Sequence, residues 1–124
     1  MQNFPYKDDT YKIIGACMAV HRELGKGFNE IVYGDALEIE LTDNNINFTR
    51  EKQFNILYKG NLLPHKYQAD FIIEDKIILE IKAISSLTDS HSKQILNYIA
   101  VSKLKLGLLI NFGEDSLKYK RIIL

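Results

Sequence analysis

The stretch "YQADFIIEDKIILEIKA", residues 67–83, decides how the chain folds. Most of it reads as two apolar β-strands joined by a turn at Glu74, Asp75 and Lys76. An unpaired charge inside a buried strand costs several kcal/mol, yet Asp70, Glu80 and Lys82 stand inside these strands. A three-residue loop sets Ile73 against Ile77, and the same register carries Asp70 opposite Glu80. Side chains alternate faces along a strand, and directly opposed residues share a face. Asp70, Glu80 and Lys82 are therefore expected on one face, flanked by Ile72 and Ile78. Phe71, Ile73, Ile77, Leu79 and Ile81 fill the other.

Two opposed carboxylates repel each other unless a positive charge lies between them. Lys82 supplies one such charge. A divalent cation would supply more, and Mg²⁺ takes one or two carboxylates while keeping several waters. Such an open site can hold a phosphate and activate water. The plainer reading is a cross-strand ion pair on a wet face, which is common and weak. A second E-x-K triplet, Glu74 to Lys76, lies in the turn with its charges free to reach water, and it carries no such implication.

Outward from this hairpin the pattern is that of an α/β chain. Asp8 or Asp9 is placed to cap a first helix in which Ile13, Cys17, Val20 and Leu24 recur at helical spacing. Gly25 and Gly27 end that helix, and Asn29 starts a second through residue 45, with Tyr33, Leu37 and Leu41 in one row. From Ile46 the period falls to two. A strand, a turn at Lys59, Gly60 and Asn61, and a return strand running on into residues 66–73 are expected. A third helix, capped by Ser86 or Thr88, precedes a buried strand in "KLGLLINF" and an edge strand in "LKYKRIIL". The expected order is ααβββαββ, a mixed sheet with helices packed against it, in one domain over 1–124 with a loose arm at 1–7.

The chain has 124 residues, 46% hydrophobic and 26% charged, an ordinary globular composition. No apolar run approaches the roughly 20 residues needed to span a bilayer, and "MQNFPYKDD" does not have the layout of a secretory leader. The single cysteine, Cys17, excludes an internal disulfide framework and suits a reducing compartment. A cytoplasmic protein is expected. Lys plus Arg equals Asp plus Glu at 16 each, so a protein that merely coats nucleic acid is disfavoured. An enzyme whose carboxylates hold cations is not.

Asp70, then a hairpin, then Glu80-x-Lys82 resembles the PD-(D/E)xK nuclease superfamily. "GFNEIVY", Gly27 to Tyr33, is similar to the G-x-x-E-x-x-Y signature of its GxxExxY family. "HSKQILNY", 91–98, is similar to that family and to the Q-x-x-x-Y element of RecB-type nucleases, and "GLLINFG", 107–113, also fits. The motifs run in the family's order from about Ile13 to Ile122. Ala69 stands where the motif's proline would be. The resemblance implies a restriction-endonuclease-like fold and a Mg²⁺- or Mn²⁺-dependent nuclease acting on nucleic acid, DNA first. It makes Asp70, Glu80 and Lys82 catalytic. Glu30 joins Asp70 and Glu80 on the metal, while Gln94, Tyr98 and Tyr33 support the site or substrate. The other reading is a catalytically silent nuclease-fold module that binds nucleic acid or a partner protein; a homodimer or a larger complex stays open.

His21 and His91 are lesser candidates. No Cys/His cluster of metal-ligand spacing exists, so a structural or rim role competes with ligation for each, although RecB-type relatives can carry a helical histidine near the metal. Ser85 and Ser86 lack the His/Asp neighbours of a serine nucleophile, and "GKGFNE" is not a phosphate-cradling loop.

Overall fold

In the computed structural model, which describes residues 5–123, α1 (Lys7–Leu24) and α2 (Glu30–Asp43) come first. They are followed by β1 (Phe48–Phe54), β2 (Leu57–Tyr58), β3 (Asn61–Leu62), β4 (Tyr67–Ile73) and β5 (Ile77–Lys82). Then come α3 (Asp89–Ser102), β6 (Leu106–Asn111) and β7 (Lys118–Ile123). Residues 1–4 of the expected arm lie outside the described residues, and Lys7 is already helical.

The cap of α1 is not an aspartate. Tyr6 holds the N-cap position in a left-handed conformation, and Asp8 and Asp9 fall inside the first turn. There they still favour the positive end of the helix dipole, and Asp9 pairs with Lys76 at 2.8 Å. Gly25, at φ 67°, ends the helix as a left-handed residue that glycine adopts without strain. Ile13, Cys17 and Val20 are buried on one side of α1, as are Tyr33, Leu37 and Leu41 on α2. Burial pushes the Cys17 thiol up to about 12, so it serves as a small apolar core residue.

The main sheet has the order β1-β4-β5-β6-β7. Only β5 and β6 run parallel; the other neighbours are antiparallel. A parallel pair needs a long crossover, and α3 supplies it. Because helices cover both faces, β6 is buried along its whole length and reads as a continuous apolar run. The α1–α2 pair packs on the face formed by Phe71, Ile73, Ile77, Leu79, Leu108 and Ile110. The opposite face, with Ile72, Ile78 and Leu109, packs against Ile95 and Ile99 of α3. β7 is an edge whose lysines and arginine discourage further pairing.

The return strand is broken where the sequence pattern suggested a continuous one. Lys59 and Gly60, both at positive φ, make a tight turn between β2 and β3, which pair only with each other. Pro64 then lacks the N–H a ladder needs, and β4 starts afresh against β1, with Phe54 facing Tyr67. The ribbon is an insertion into the ααβββαββ order.

Helix α3 reaches the sheet at Gly107, where an added Cβ would lie 2.5 Å from Ile95 Cγ2 and 3.3 Å from Ile99 Cδ1. Gly107→Ala is expected to overpack this contact and cost about 1–3 kcal/mol. Gly15→Ala, on α1 with open space around it, should stabilise by about 0.5–1 kcal/mol. Urea denaturation of the two variants checks both signs.

Candidate active site at the ends of the central strands

The β4–β5 turn places the charged residues. Glu74 and Asp75 adopt left-handed backbone, and Lys76 N–H donates to Ile73 O at 3.1 Å, so the loop is the three-residue one expected. The ladder pairs Ile73 with Ile77, Ile72 with Ile78 and Phe71 with Leu79, and ends there. Asp70 is carried to the position facing Glu80, but no further backbone pair forms. Instead Asp70 Oδ2 accepts a hydrogen bond from the Ile81 amide at 2.7 Å. The strands part where the carboxylates begin, and a side chain satisfies the amide that the ladder leaves open.

Glu80 is only 8% exposed. Burial, and then the neighbouring Asp70 carboxylate, push its pKa up to about 8; a hydrogen bond from Tyr67 and the positive charge of Lys82 act in the opposite direction. The Tyr67 hydroxyl donates to Glu80 Oε1. Burial and the Glu80 charge raise the pKa of Tyr67 itself, so it remains a donor. Its ring lies between two others. Tyr98 of α3 stacks on it at 3.6 Å between centroids, and Phe54 of β1 stacks at 5.7 Å. Tyr98 in turn accepts a hydrogen bond from Gln94. Glu80, Tyr98 and, through Tyr98, Gln94 are thus joined by way of Tyr67, with Asp70 and the charge of Lys82 acting on Glu80.

Glu30 approaches from another direction. As the first residue of α2 it lines a cleft of about 550 Å³ together with Phe28, Arg50, Glu51, Asp70 and Ala83. Glu30 and Asp70 therefore share a cleft. Among the described residues, however, no three His, Cys, Asp or Glu side chains come close enough to hold one ion. Tyr33 is fully buried behind Glu30. Its hydroxyl donates to Gly25 O at 2.5 Å and accepts from the Phe28 amide at 3.3 Å, and its ring stacks on Phe112 at 4.5 Å. It holds the loop that leads into Glu30.

Both candidate histidines have structural partners. His21 Nε2 meets Glu114 O at 2.9 Å, with its ring against Phe112. His91 completes the capping box of α3, its Nδ1 accepting from the Thr88 amide at 3.0 Å.

Three residues escaped the sequence reading. Tyr67 reads in sequence as one more apolar residue of the return strand; only its partner reveals its task. Glu51, with φ 58°, lies between the pairs Arg50–Phe71 and Lys52–Ala69, which puts it beside Asp70 on the other flank of β4. Asn111, fully buried, accepts from the Ile84 and Gly113 amides and donates to Ile84 O and Glu114 Oε2. It clamps the chain just past Lys82, and Gly113 lies so close to Ile84 that a Cβ would come within 2.2 Å of its carbonyl oxygen. The "INFG" pattern was the available clue.

The donor set suits a hard divalent cation. It offers two carboxylates that raise each other's energy when both are charged, and oxygen ligands only. Two protein carboxylates with the remaining positions left to water and phosphate match what Mg²⁺ ordinarily accepts.

No curated protein matches the chain significantly. The crystal structure of the protein SSO0001 superposes with a TM-score of 0.56 at 24% identity, covering 95% of this chain and 59% of that one. The chain thus spans about three-fifths of that protein, and the likeness is one of fold. An alkaline exonuclease, LHK-Exo, from Laribacter hongkongensis, is matched at 14% identity with a TM-score of 0.42, over 99% of this chain and 72% of that one. The sequence pattern of the PD-(D/E)XK nuclease superfamily matches residues 7–122. With that match and a five-stranded mixed sheet flanked by helices, the chain belongs to the PD-(D/E)XK nuclease superfamily and has its restriction-endonuclease-like fold.

Proposed function

We propose that this protein is a cytoplasmic, Mg²⁺- or Mn²⁺-dependent nuclease of the GxxExxY type, with RecB-type features in Gln94 and Tyr98, that hydrolyses phosphodiester bonds in DNA. The observation that supports it most is the buried Glu80 carboxylate beside Asp70 and Lys82, where ordinary packing would place an apolar residue. Asp70 and Glu80 would hold the cation, with Glu30, which shares a cleft with Asp70, as a further carboxylate for it. When bound, the cation polarises a phosphoryl oxygen and makes water a stronger nucleophile near neutral pH. Lys82 orients the attacking water and offsets the negative charge that grows on the phosphate. Gln94 and Tyr98 border the substrate, and Tyr67 keeps one Glu80 oxygen occupied so that the other is presented in a defined direction.

Single- and double-stranded DNA incubated with the purified protein and Mn²⁺ should be cut. Asp70→Ala and Lys82→Ala should each lower the rate by about a hundredfold or more. Equal residual cleavage in both variants would trace the activity to a contaminant.

The raised Glu80 pKa predicts a pH-dependent stability without metal. The folded state keeps a proton up to about pH 8, whereas the unfolded carboxyl releases it near 4.5. The contribution of Glu80 is therefore fully present below about pH 4.5 and is lost as pH rises through 8, by an amount on the order of a few kcal/mol. In EDTA the urea midpoint should fall over this window. Glu80→Gln should flatten the fall, and Mg²⁺ should restore the wild type at pH 8 but not the variant.

Tyr67→Phe keeps the aromatic stack and removes the hydrogen bond. It should weaken Mn²⁺ binding by about tenfold or more in a calorimetric or spin-resonance titration, with the fold intact by circular dichroism. Unchanged affinity would reduce Tyr67 to packing.

A further inference from the structure

The β2–β3 ribbon stands outside both core clusters. Residues 57–66 are exposed without interruption, and the two strands pair only with each other, Leu57 facing Leu62 and Tyr58 facing Asn61. Leu57 and Leu62 are 63% and 66% exposed. In a chain of zero net charge, residues 52–69 contain no Asp or Glu, yet they carry Lys52, Lys59, His65 and Lys66. None of these three lysines forms a salt bridge among the described residues.

The ribbon is also rooted at the site. It leaves the main sheet at the Phe54–Tyr67 pair, and Tyr67 is the residue bonded to Glu80. Asp70 lies three residues further along β4, about 10 Å away at strand rise. Whatever the ribbon grips is held within reach of the carboxylates.

We infer that the ribbon is a duplex-DNA wing that enters the major groove and seats the adjacent phosphate at Asp70, Glu80 and Lys82. This rests on the nuclease reading and specifies its substrate as double-stranded, B-form DNA. Two strands about 5 Å apart, with their side chains, fit a major groove about 12 Å wide; the deep, narrow major groove of A-form RNA excludes them. Lys59 and Lys66 meet the phosphates on either side. The opposed Leu57 and Leu62 lie on one face, where thymine methyls offer apolar contact. An apolar face alone would suit a second copy of the chain equally well; the acid-free run of lysines decides for a polyanion.

The test is binding of a fluorescein-labelled 20-base-pair DNA duplex, its RNA counterpart and the single DNA strand. Ca²⁺ replaces Mg²⁺, and salt runs from 50 to 200 mM. The wild type should prefer the DNA duplex. Lys59→Ala/Lys66→Ala should weaken that binding by about tenfold or more and make the slope of log affinity against log salt shallower by about 2. Equal affinity and slope in the double variant would overturn the inference, as would equally ribbon-dependent binding of the RNA duplex. A dimer in sedimentation velocity that Leu57→Ser/Leu62→Ser dissolves without touching DNA affinity would assign the ribbon to a second copy instead. Ribbon-dependent binding with no cleavage sensitive to Asp70→Ala would sink the nuclease reading and leave the wing standing.

Discussion

Glu80 sits in the middle of a strand whose other residues, apart from Lys82, are buried and apolar, and its carboxylate can be there only because three groups deal with its charge. Tyr67 donates to one oxygen, Lys82 contributes positive charge, and the proton itself is retained well above the ordinary carboxyl range. A fully satisfied apolar residue would cost less at this point. The fold tolerates the carboxylate by gathering around it residues from β4, β5 and α3, and these same residues make up the candidate site. The stability cost and the candidate site are one arrangement seen twice.

The elements around this carboxylate work largely to hold it still. The three-residue turn at Glu74 to Lys76 sets the register that brings Asp70 beside it. Gly107 lets α3 settle onto β6, which brings Tyr98 down onto the ring of Tyr67. On the far side of β5, Asn111 ties the end of β6 to Ile84, two residues after Lys82. Tyr33 performs the same service for Glu30 through the loop at Gly25 to Phe28. None of these groups needs to touch a substrate for the site to depend on it. The geometry of a carboxylate pair is held by its hydrogen-bonding neighbours as much as by its own backbone.

Local periodicity made the two faces of the β4–β5 hairpin legible from the residues alone. The alternation in "DFII" and "IILEIK" leaves no other way to bury Phe71, Ile73, Ile77, Leu79 and Ile81 together, and the structure puts them in one cluster. The same reading failed at β2–β3 because an apolar stretch such as "ILYKGNLL" looks like sheet whether or not another strand lies beside it. Pro64 was the local sign of a break. The helix cap at Tyr6 was hidden for a related reason. An aspartate in the first turn and one at the cap look alike in sequence, and a salt bridge to Lys76, 67 positions away, competes for Asp9.

The amino-acid sequence by itself determined which residues alternate and where the turns fall, and hence that Phe71, Ile73, Ile77, Leu79 and Ile81 are buried together, because these follow from interactions a few residues apart. Only the tertiary structure decided that Tyr67 is the partner of Glu80, that Tyr98 stacks upon it, and that Glu30 shares a cleft with Asp70 without closing a three-ligand cluster. Those relations join β4, β5, α3 and α2 across long loops. Their distances depend on how closely helices pack on a twisted sheet, which no local pattern of residues records.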